Sequence, residues 1–316
     1  MSATKLSGNF LKPFHSRIAP TPSGFLHIGN VFSFVITWLL VRKTQGSLLL
    51  RIDDLDYDRV RPEYIKDIFE TLDWLGLDWD HGPQGVDDFN NHYSQIHRLD
   101  MYQALLTKLV KDPVVVYACD CSRTRIQELG SYTNICRYRH LPLDNNDSAW
   151  RMWVSDDTHV CWNELHQGTT HVECRSVTEQ IGDFVVKRRN GQPAYQVASL
   201  ADDLYFGSNC IVRGKDLLPS TTAQLWMAGL LAQTSFSGSV FYHHPVVMDV
   251  SGQKLSKSAG AMSVRSLRET SVQAGVVFRN LARSMGIPYE DIFTAQDLLQ
   301  QFNFQLPQTL SPDLTL

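Results

Sequence analysis

The chain has no excess of positive charge. Its 29 Lys and Arg stand against 33 Asp and Glu, a net charge of −4, with an isoelectric point near 6.2. That balance excludes recognition of a polyanion by overall charge and confines any nucleic-acid contact to a local basic patch. Long apolar runs are also missing. The longest, Val31 to Val41, falls well short of the roughly 20 residues that a membrane-spanning helix needs. Met1 to Phe14 contains no charged region followed by an apolar core, so no secretory signal is expected. These absences predict a soluble, cytoplasmic protein with no membrane partner, and a monomer is expected. Cysteines number only six in 316 residues, too few for a disulfide framework. Three of them crowd into 119–136, which suits a metal better. No internal repeat or low-complexity tract is present. What is plentiful is apolar residue, 43%, enough for one or two domains with real cores.

The most organised stretch is Arg17-Ile-Ala-Pro-Thr-Pro-Ser-Gly-Phe-Leu-His-Ile-Gly-Asn30. Arg17 to Ala19 closes a short strand. Pro20, Pro22 and Gly24 force a tight turn, and His27 to Asn30 opens the apolar run, read as a buried helix. A strand, a Pro/Gly turn and a helix start make a phosphate site, because the first helical N–H groups have no internal partner and the dipole adds positive charge. Gly29 admits a ligand near the backbone, and His27 can donate to a phosphate oxygen. An ordinary β–α turn around a buried histidine reads the same way. A second stretch, Ser251-Gly-Gln-Lys-Leu-Ser-Lys-Ser258, sets Lys254 and Lys257 among small hydroxyls. Lysine is a mobile point charge suited to a polyphosphate. A solvated surface loop is the plain alternative.

Together, His27-Ile-Gly-Asn30 and Lys254-Leu-Ser-Lys-Ser258 resemble the two signatures of class I aminoacyl-tRNA synthetases. Arg17-Ile-Ala-Pro-Thr-Pro-Ser-Gly, Arg51-Ile-Asp-Asp-Leu-Asp56 and Ile211-Val-Arg-Gly214 resemble the glutamyl branch. The resemblance implies an α/β fold: a Rossmann-like parallel sheet split by an inserted zinc-containing domain. The expected layout is a first half of the nucleotide-binding domain at 1–112 and an inserted tRNA-contacting domain at 113–190. The second half follows at 191–250, with the lysine loop and a short helical tail at 251–316. It implies ATP held by His27, Gly29, Asn30, Lys254, Ser256 and Lys257, with Mg²⁺ on the leaving pyrophosphate and with His27 and Lys257 acting in catalysis. L-Glutamate would be held by Arg17, Ala19, Thr21, Asp53, Tyr195 and Arg213.

Residues 47–52 read as a buried strand, with Asp53, Asp54 and Asp56 at its carboxyl end, where α/β sheets face their ligands. Asp53 can hold an ammonium group or simply precede a helix; the glutamyl branch usually has glutamate there. Helices are expected at Pro62–Leu75, Tyr93–Val110, Leu217–Ala232 and Glu269–Met285. Cys119, Cys121 and Cys136 need one more ligand for tetrahedral zinc, and Tyr132 and His140 compete for it. Three cysteines and a tyrosine match a pattern in glutamyl-Q tRNA(Asp) synthetases, which the chain also resembles. Arg123, Arg125, Arg137 and Arg139 flank this cluster and suit phosphate contacts or a solvated face. Cys161 and Cys174 read as buried thiols. Phe184–Arg188 reads as a strand ending in a turn at Asn190-Gly191.

Arg213 follows Tyr195 by 18 positions and ends the strand Asn209–Val212. A guanidinium reads a carboxylate bidentately and rejects an uncharged isostere by leaving its own donors unpaired; pairing with Asp202 or Asp203 is the alternative. Gln300–Leu316 has Pro307 and Pro312 and is expected to make few apolar contacts, so its end, about the last fifteen residues, reads as loose. After Ser258 only 58 residues follow, without room for a helical anticodon-binding part. The resemblance therefore implies transfer of glutamate to queuosine in the anticodon loop of tRNA(Asp). A short glutamyl-tRNA synthetase charging the 3′ end, a small-molecule nucleotidyltransferase and a non-catalytic tRNA-binding paralogue are the other readings.

Overall fold

The computed structural model describes residues 4–5, 12–111, 115–145, 147–247 and 263–310. In chain order its strands are β1 (Thr4–Lys5), β2 (His15–Ile18), β3 (Ser47–Leu50), β4 (Val116–Cys119), β5 (Ala149–Met152), β6 (His159–His166), β7 (Thr169–Ser176), β8 (Phe184–Lys187), β9 (Cys210–Gly214) and β10 (Val240–His244). Its longer helices are α1 (Ile28–Lys43), α2 (Pro62–Leu75), α3 (Leu99–Leu109), α4 (Arg123–Glu128), α5 (Tyr195–Tyr205), α6 (Leu218–Leu230), α7 (Val264–Glu269), α8 (Gly275–Ser284) and α9 (Ala295–Gln301).

The parallel core is made of β3 beside β2 and β9 beside β10. Hydrogen bonds from Asn209 N to His15 O (2.9 Å) and from Ser16 Oγ to Cys210 O (2.7 Å) join the two pairs edge to edge. Helix α1 lies across this seam. It is apolar all round and buried along Val31–Val41, save for half-exposed Ser33, because the sheet covers one side and α8 and α9 the other. The segment 113–190 supplies two different pieces. Strands β4, β5 and β8 form a separate antiparallel sheet. Strands β6 and β7 form an antiparallel pair whose inner strand runs parallel to β10, extending the core sheet.

Several expectations are corrected. The helix expected from Tyr93 breaks at Ser94 (φ −53°, ψ 142°), where Asp54 accepts from Ser94 Oγ (2.5 Å) and Gln95 N (2.7 Å); α3 starts only at Leu99. The helix expected over Glu269–Met285 is two. Chain reversal after α7 places Ser271 at φ 60°, with Val272 N bonded to Leu267 O and Ser271 N to Arg268 O, a closed helix end. The tail is not loose up to residue 310: Phe302, Leu306 and Leu310 are buried in the main core, and Tyr242 Oη donates to Pro307 O. Cys161 and Cys174 are not buried thiols. They are exposed, stand directly opposite in the β6–β7 register with Cα atoms 4.1 Å apart, and are joined as a disulfide. That separation suits the close, non-hydrogen-bonded type of antiparallel pair.

Candidate active site

The carboxyl ends of β2 and β9 and the amino end of α1 open on one cavity of about 600 Å³. Arg17, Ala19, Thr21 and His27 line it from the first half of the chain, with Gly29 and Asn30 beside them. Tyr195 and Arg213 line it from the second half. Sequence-distant candidates thus meet where strand ends and a helix start coincide.

His27 caps α1. Its Nδ1 accepts from Gly29 N (3.1 Å), and its own backbone N–H donates to Asn30 Oδ1 (3.1 Å), a capping box built with histidine and asparagine. Because Nδ1 accepts, the proton of the neutral ring sits on Nε2. Gly29 makes room for this arrangement: a Cβ there would meet the His27 ring at 3.1 Å and Val247 at 3.3 Å. Gly214 plays a similar part, since a Cβ would fall 2.4 Å from the Asp216 carboxylate. Both glycines accommodate neighbouring side chains, a role the sequence pattern did not reveal.

The floor of the cavity is a buried charge cluster. Asp203 Oδ1 accepts from Arg17 Nε and from Arg51 Nη1, both at 2.7 Å. Burial alone would raise the Asp203 carboxyl, but Arg17, Arg51 and Arg213 outweigh it and hold it below the usual carboxylate range. Arg17 also donates to Val212 O (3.3 Å). Arg51 in turn clasps Asp53, Nε to Oδ1 at 2.7 Å and Nη2 to Oδ2 at 3.0 Å. Asp53 is 7% exposed and is not among the cavity-lining residues. Both of its carboxylate oxygens are engaged by Arg51. The other carboxylates after β3 are likewise engaged: Asp54 by Ser94 and Gln95, and Asp56 by Arg188 at 3.1 Å.

Arg213 is different. It is 3% exposed, and only Nη1 is tied, to Gln224 Oε1 (2.9 Å) and Thr221 Oγ1 (3.3 Å). Nε and Nη2 have no hydrogen-bond partner among the described residues, and Asp203 lies 3.8 Å from Nη2. Those two nitrogens form the side-on edge that grips a carboxylate. Burial, with Arg17 and Arg51 close by, pulls the guanidinium below its usual value. Four guanidinium groups, of Arg17, Arg51, Arg98 and Arg213, face three carboxylates, of Asp53, Asp202 and Asp203. The cluster is one negative charge short of balance, and Arg213, whose pairing is incomplete, is one of the residues lining the cavity. Sequence reading missed Asp203 as the organiser and Gln224 as a tether. Lys254, Ser256 and Lys257 lie outside the described residues.

At the other end, the sulfurs of Cys119, Cys121 and Cys136 lie within 4.8 Å of one another, and Cys121 Sγ is 3.5 Å from Cys136 Sγ. A tetrahedral zinc with bonds of about 2.3 Å holds its sulfurs about 3.8 Å apart, so the donor set fits that ion. The Tyr132 hydroxyl meets Cys119 and accepts from Cys136 N (3.4 Å). The His140 ring does not join the group. Arg137 is bound to Asp183 at 2.6 Å and Arg139 to Asp120 at 2.5 Å, while Arg123 and Arg125 are exposed.

Comparison with known proteins agrees with this geometry. Residues 13–311 match the family described as tRNA synthetases class I (E and Q), catalytic domain. The chain is 34% identical over 290 residues to a glutamate–tRNA ligase 2 of Syntrophus aciditrophicus, covering 87% of this chain and 57% of that protein. It is 32% identical over 285 residues to a glutamyl-Q tRNA(Asp) synthetase of Nitratidesulfovibrio vulgaris, covering 86% of each. It is also 35% identical over 268 residues to the enzyme of the same name from Ralstonia nicotianae, covering 80% of this chain and 79% of that one. Among solved structures, a glutamate tRNA ligase from Elizabethkingia meningosepticum in complex with its amino acid superposes with a TM-score of 0.74 at 19% identity, over 96% of this chain and 68% of that one, which establishes the shared fold. No helix among the described residues is long and apolar enough to cross a membrane. A match that runs from residue 13 to residue 311, on a fold that brings the helix-capping histidine and a half-tethered buried arginine to one cavity, makes this chain a member of the class I tRNA synthetases of the glutamyl and glutaminyl group.

Proposed function

We propose that the protein activates L-glutamate with ATP and transfers it to queuosine in the anticodon loop of tRNA(Asp). The observation that carries the first step is the Arg213 side-on edge, buried and unpartnered among the described residues, on the wall of a cavity that also holds the amino end of α1. A glutamate side-chain carboxylate supplies the missing negative charge and both acceptors. Glutamine supplies neither the charge nor two acceptors, so it leaves a buried donor unpaired. Arg17, Tyr195, Ala19 and Thr21 complete the wall, with Arg17 contributing charge more than free donors.

In the proposed first step, an oxygen of the glutamate α-carboxylate attacks the α-phosphorus of ATP, and the bond to pyrophosphate breaks. The His27 Nε2–H and the amino end of α1 meet the phosphate charge, and Lys254, Ser256 and Lys257 are assigned to the same task. Mg²⁺ bound with ATP would offset charge on the pyrophosphate. Rate enhancement comes from positioning and charge stabilisation rather than from a covalent enzyme intermediate. Cys119, Cys121, Cys136 and Tyr132 would hold zinc and shape the part that meets tRNA. Exposed Arg123 and Arg125 are the phosphate-contact candidates there, since Arg137 and Arg139 are occupied by aspartates.

The queuosine acceptor is supported by relatives carrying that name which match over most of both chains. A second reading, transfer to the tRNA 3′ end, is favoured by the ligase of Syntrophus at 34% identity. Isotopic pyrophosphate exchange tests the shared first step. Exchange that needs glutamate and no tRNA, and is very weak with glutamine, supports it. Equal exchange with glutamine, or none with any amino acid, rejects it.

A further inference from the structure

Arg213 is aimed by a chain of buried hydrogen bonds that runs away from the cavity. Its Nη1 donates to Thr221 Oγ1 at 3.3 Å. Thr221 Oγ1 lies 2.8 Å from His243 Nε2. His243 Nδ1 lies 2.7 Å from Glu164 Oε2, and His243 N donates to Glu164 Oε1 at 2.7 Å. Trp162 Nε1 donates to Glu164 Oε2, also at 2.7 Å. Thr221 is fully buried and His243 is 4% exposed.

The carboxylate at one end fixes the direction of the bonds it accepts. An ionised carboxylate only accepts, and the Glu164 carboxyl is held below its ordinary value, with the His243 contact outweighing burial. His243 therefore carries a proton on Nδ1. In the neutral ring Nε2 is then an acceptor; the Thr221 hydroxyl, which also lies 3.4 Å from Leu217 O, donates to Nε2 at the shorter 2.8 Å, and its lone pairs are left for the Arg213 donor. Glu164 is itself fixed by three donors from two sources. The chain crosses from β6 through β10 to α6, the helix that also carries the Gln224 tether, and ends on the arginine that β9 presents.

We propose that Thr221, His243 and Glu164 are positioning residues that hold the Arg213 guanidinium at the angle where Nε and Nη2 face the substrate. The inference rests on the reading that Arg213 takes the glutamate side-chain carboxylate. Gln224 holds Nη1 from one direction only; the second tether, at Thr221, removes the freedom to rotate about it. A guanidinium free to rotate presents a worse fork, and the penalty falls on glutamate binding. ATP, on the α1 side of the cavity, is spared.

The test is steady-state pyrophosphate exchange with the full chain, comparing wild type with Thr221→Val, Thr221→Ser, His243→Leu and His243→Gln. The chain predicts that T221V and H243L raise the KM for glutamate roughly tenfold or more, in line with a lost bond to a charged group. The KM for ATP stays within about twofold, and kcat falls less than the KM for glutamate rises. T221S restores the hydroxyl, and H243Q restores an acceptor toward Thr221; both recover most of the loss. Should one of the two disruptive variants fail to fold, the other carries the comparison. A normal glutamate KM in folded T221V or H243L overturns the proposal, as does a proportionate rise in the KM for ATP. Wild type without glutamate-dependent exchange overturns this inference and the reading beneath it together. An active wild type with indifferent variants overturns the positioning chain alone.

Discussion

Arg17 Nε lies 2.7 Å from Asp203 Oδ1, and both side chains are buried. The pair ties β2 to α5. Arg17 ends a strand of the first half, and Asp203 sits on α5 in the second. Arg51 reaches the same Asp203 oxygen from β3, so one carboxylate fastens two strand ends to a helix. Arg213 approaches its other oxygen only to 3.8 Å.

Removing that anion leaves buried cations uncompensated. Asp203→Asn is expected to cost about 3–5 kcal/mol of stability, as when one partner of a buried pair is deleted. The pH dependence has a definite sign. The folded-state pKa of Asp203 is depressed, so its contribution is present above the unfolded value near 3.9 and is lost as pH falls through the folded value. Urea melts of wild type and Asp203→Asn at neutral and acid pH check this. The gap between the two proteins should be wide at neutral pH and shrink as the solution becomes acidic. A gap that is constant with pH contradicts the assignment.

Asp53 gives a sharper contrast. Its two bonds to Arg51 predict that Asp53→Ala loses stability, by about 3 kcal/mol or more, while the KM for glutamate in exchange stays within about twofold. Calorimetry and exchange kinetics on the same preparation decide it. A large rise in KM with normal stability would return Asp53 to the ammonium-binding role suggested by its place in the sequence.

For Arg213, replacement by Gln removes the fork and the charge. The kcat/KM for glutamate should fall by roughly a hundredfold or more, with selectivity for glutamate over glutamine falling alongside. Fold stability should change little or improve, because Arg213 is a buried cation whose own pairing is incomplete. Exchange kinetics with both amino acids measure this. Retained selectivity in Arg213→Gln contradicts the assignment of the fork.

The parts of the site that were legible in sequence are those with backbone reasons. Pro20, Pro22 and Gly24 dictate a turn, and the apolar run after His27 can only be a buried helix. Arg213 was legible because it closes a strand before a glycine. Asp203 was not: a mid-helix aspartate lies 186 residues from Arg17, and nothing local signals that three arginines converge on it. For Asp53, position after a strand says where the carboxylate is, not that Arg51 is its partner. The Cys161–Cys174 bond depended on the register of β6 against β7, which spacing alone does not give. Leu306 and Leu310 flank Pro307 in a polar segment, and only the core of the whole chain shows where they are buried.

The cysteine cluster yields its own measurement. Elemental analysis is expected to find one zinc for each chain, released in Cys119→Ser or Cys136→Ser with loss of stability in the β4–β5–β8 sheet, since metal affinity there is folding energy. Tyr132→Phe should weaken retention under chelator more than His140→Ala does, because the tyrosine hydroxyl reaches Cys119 and the histidine lies outside the group. Full zinc in a Cys119/Cys121/Cys136 triple mutant shows that the ligands lie elsewhere.

The most direct measurement is the place of the ester. Charging tRNA(Asp) with labelled glutamate, with and without queuosine, followed by nuclease digestion, locates the label. The account predicts label on queuosine, with no charging of unmodified tRNA(Asp). It also predicts that binding weakens as salt rises, because arginines meet phosphates. Label on the terminal adenosine, or equal charging of the unmodified tRNA, contradicts it.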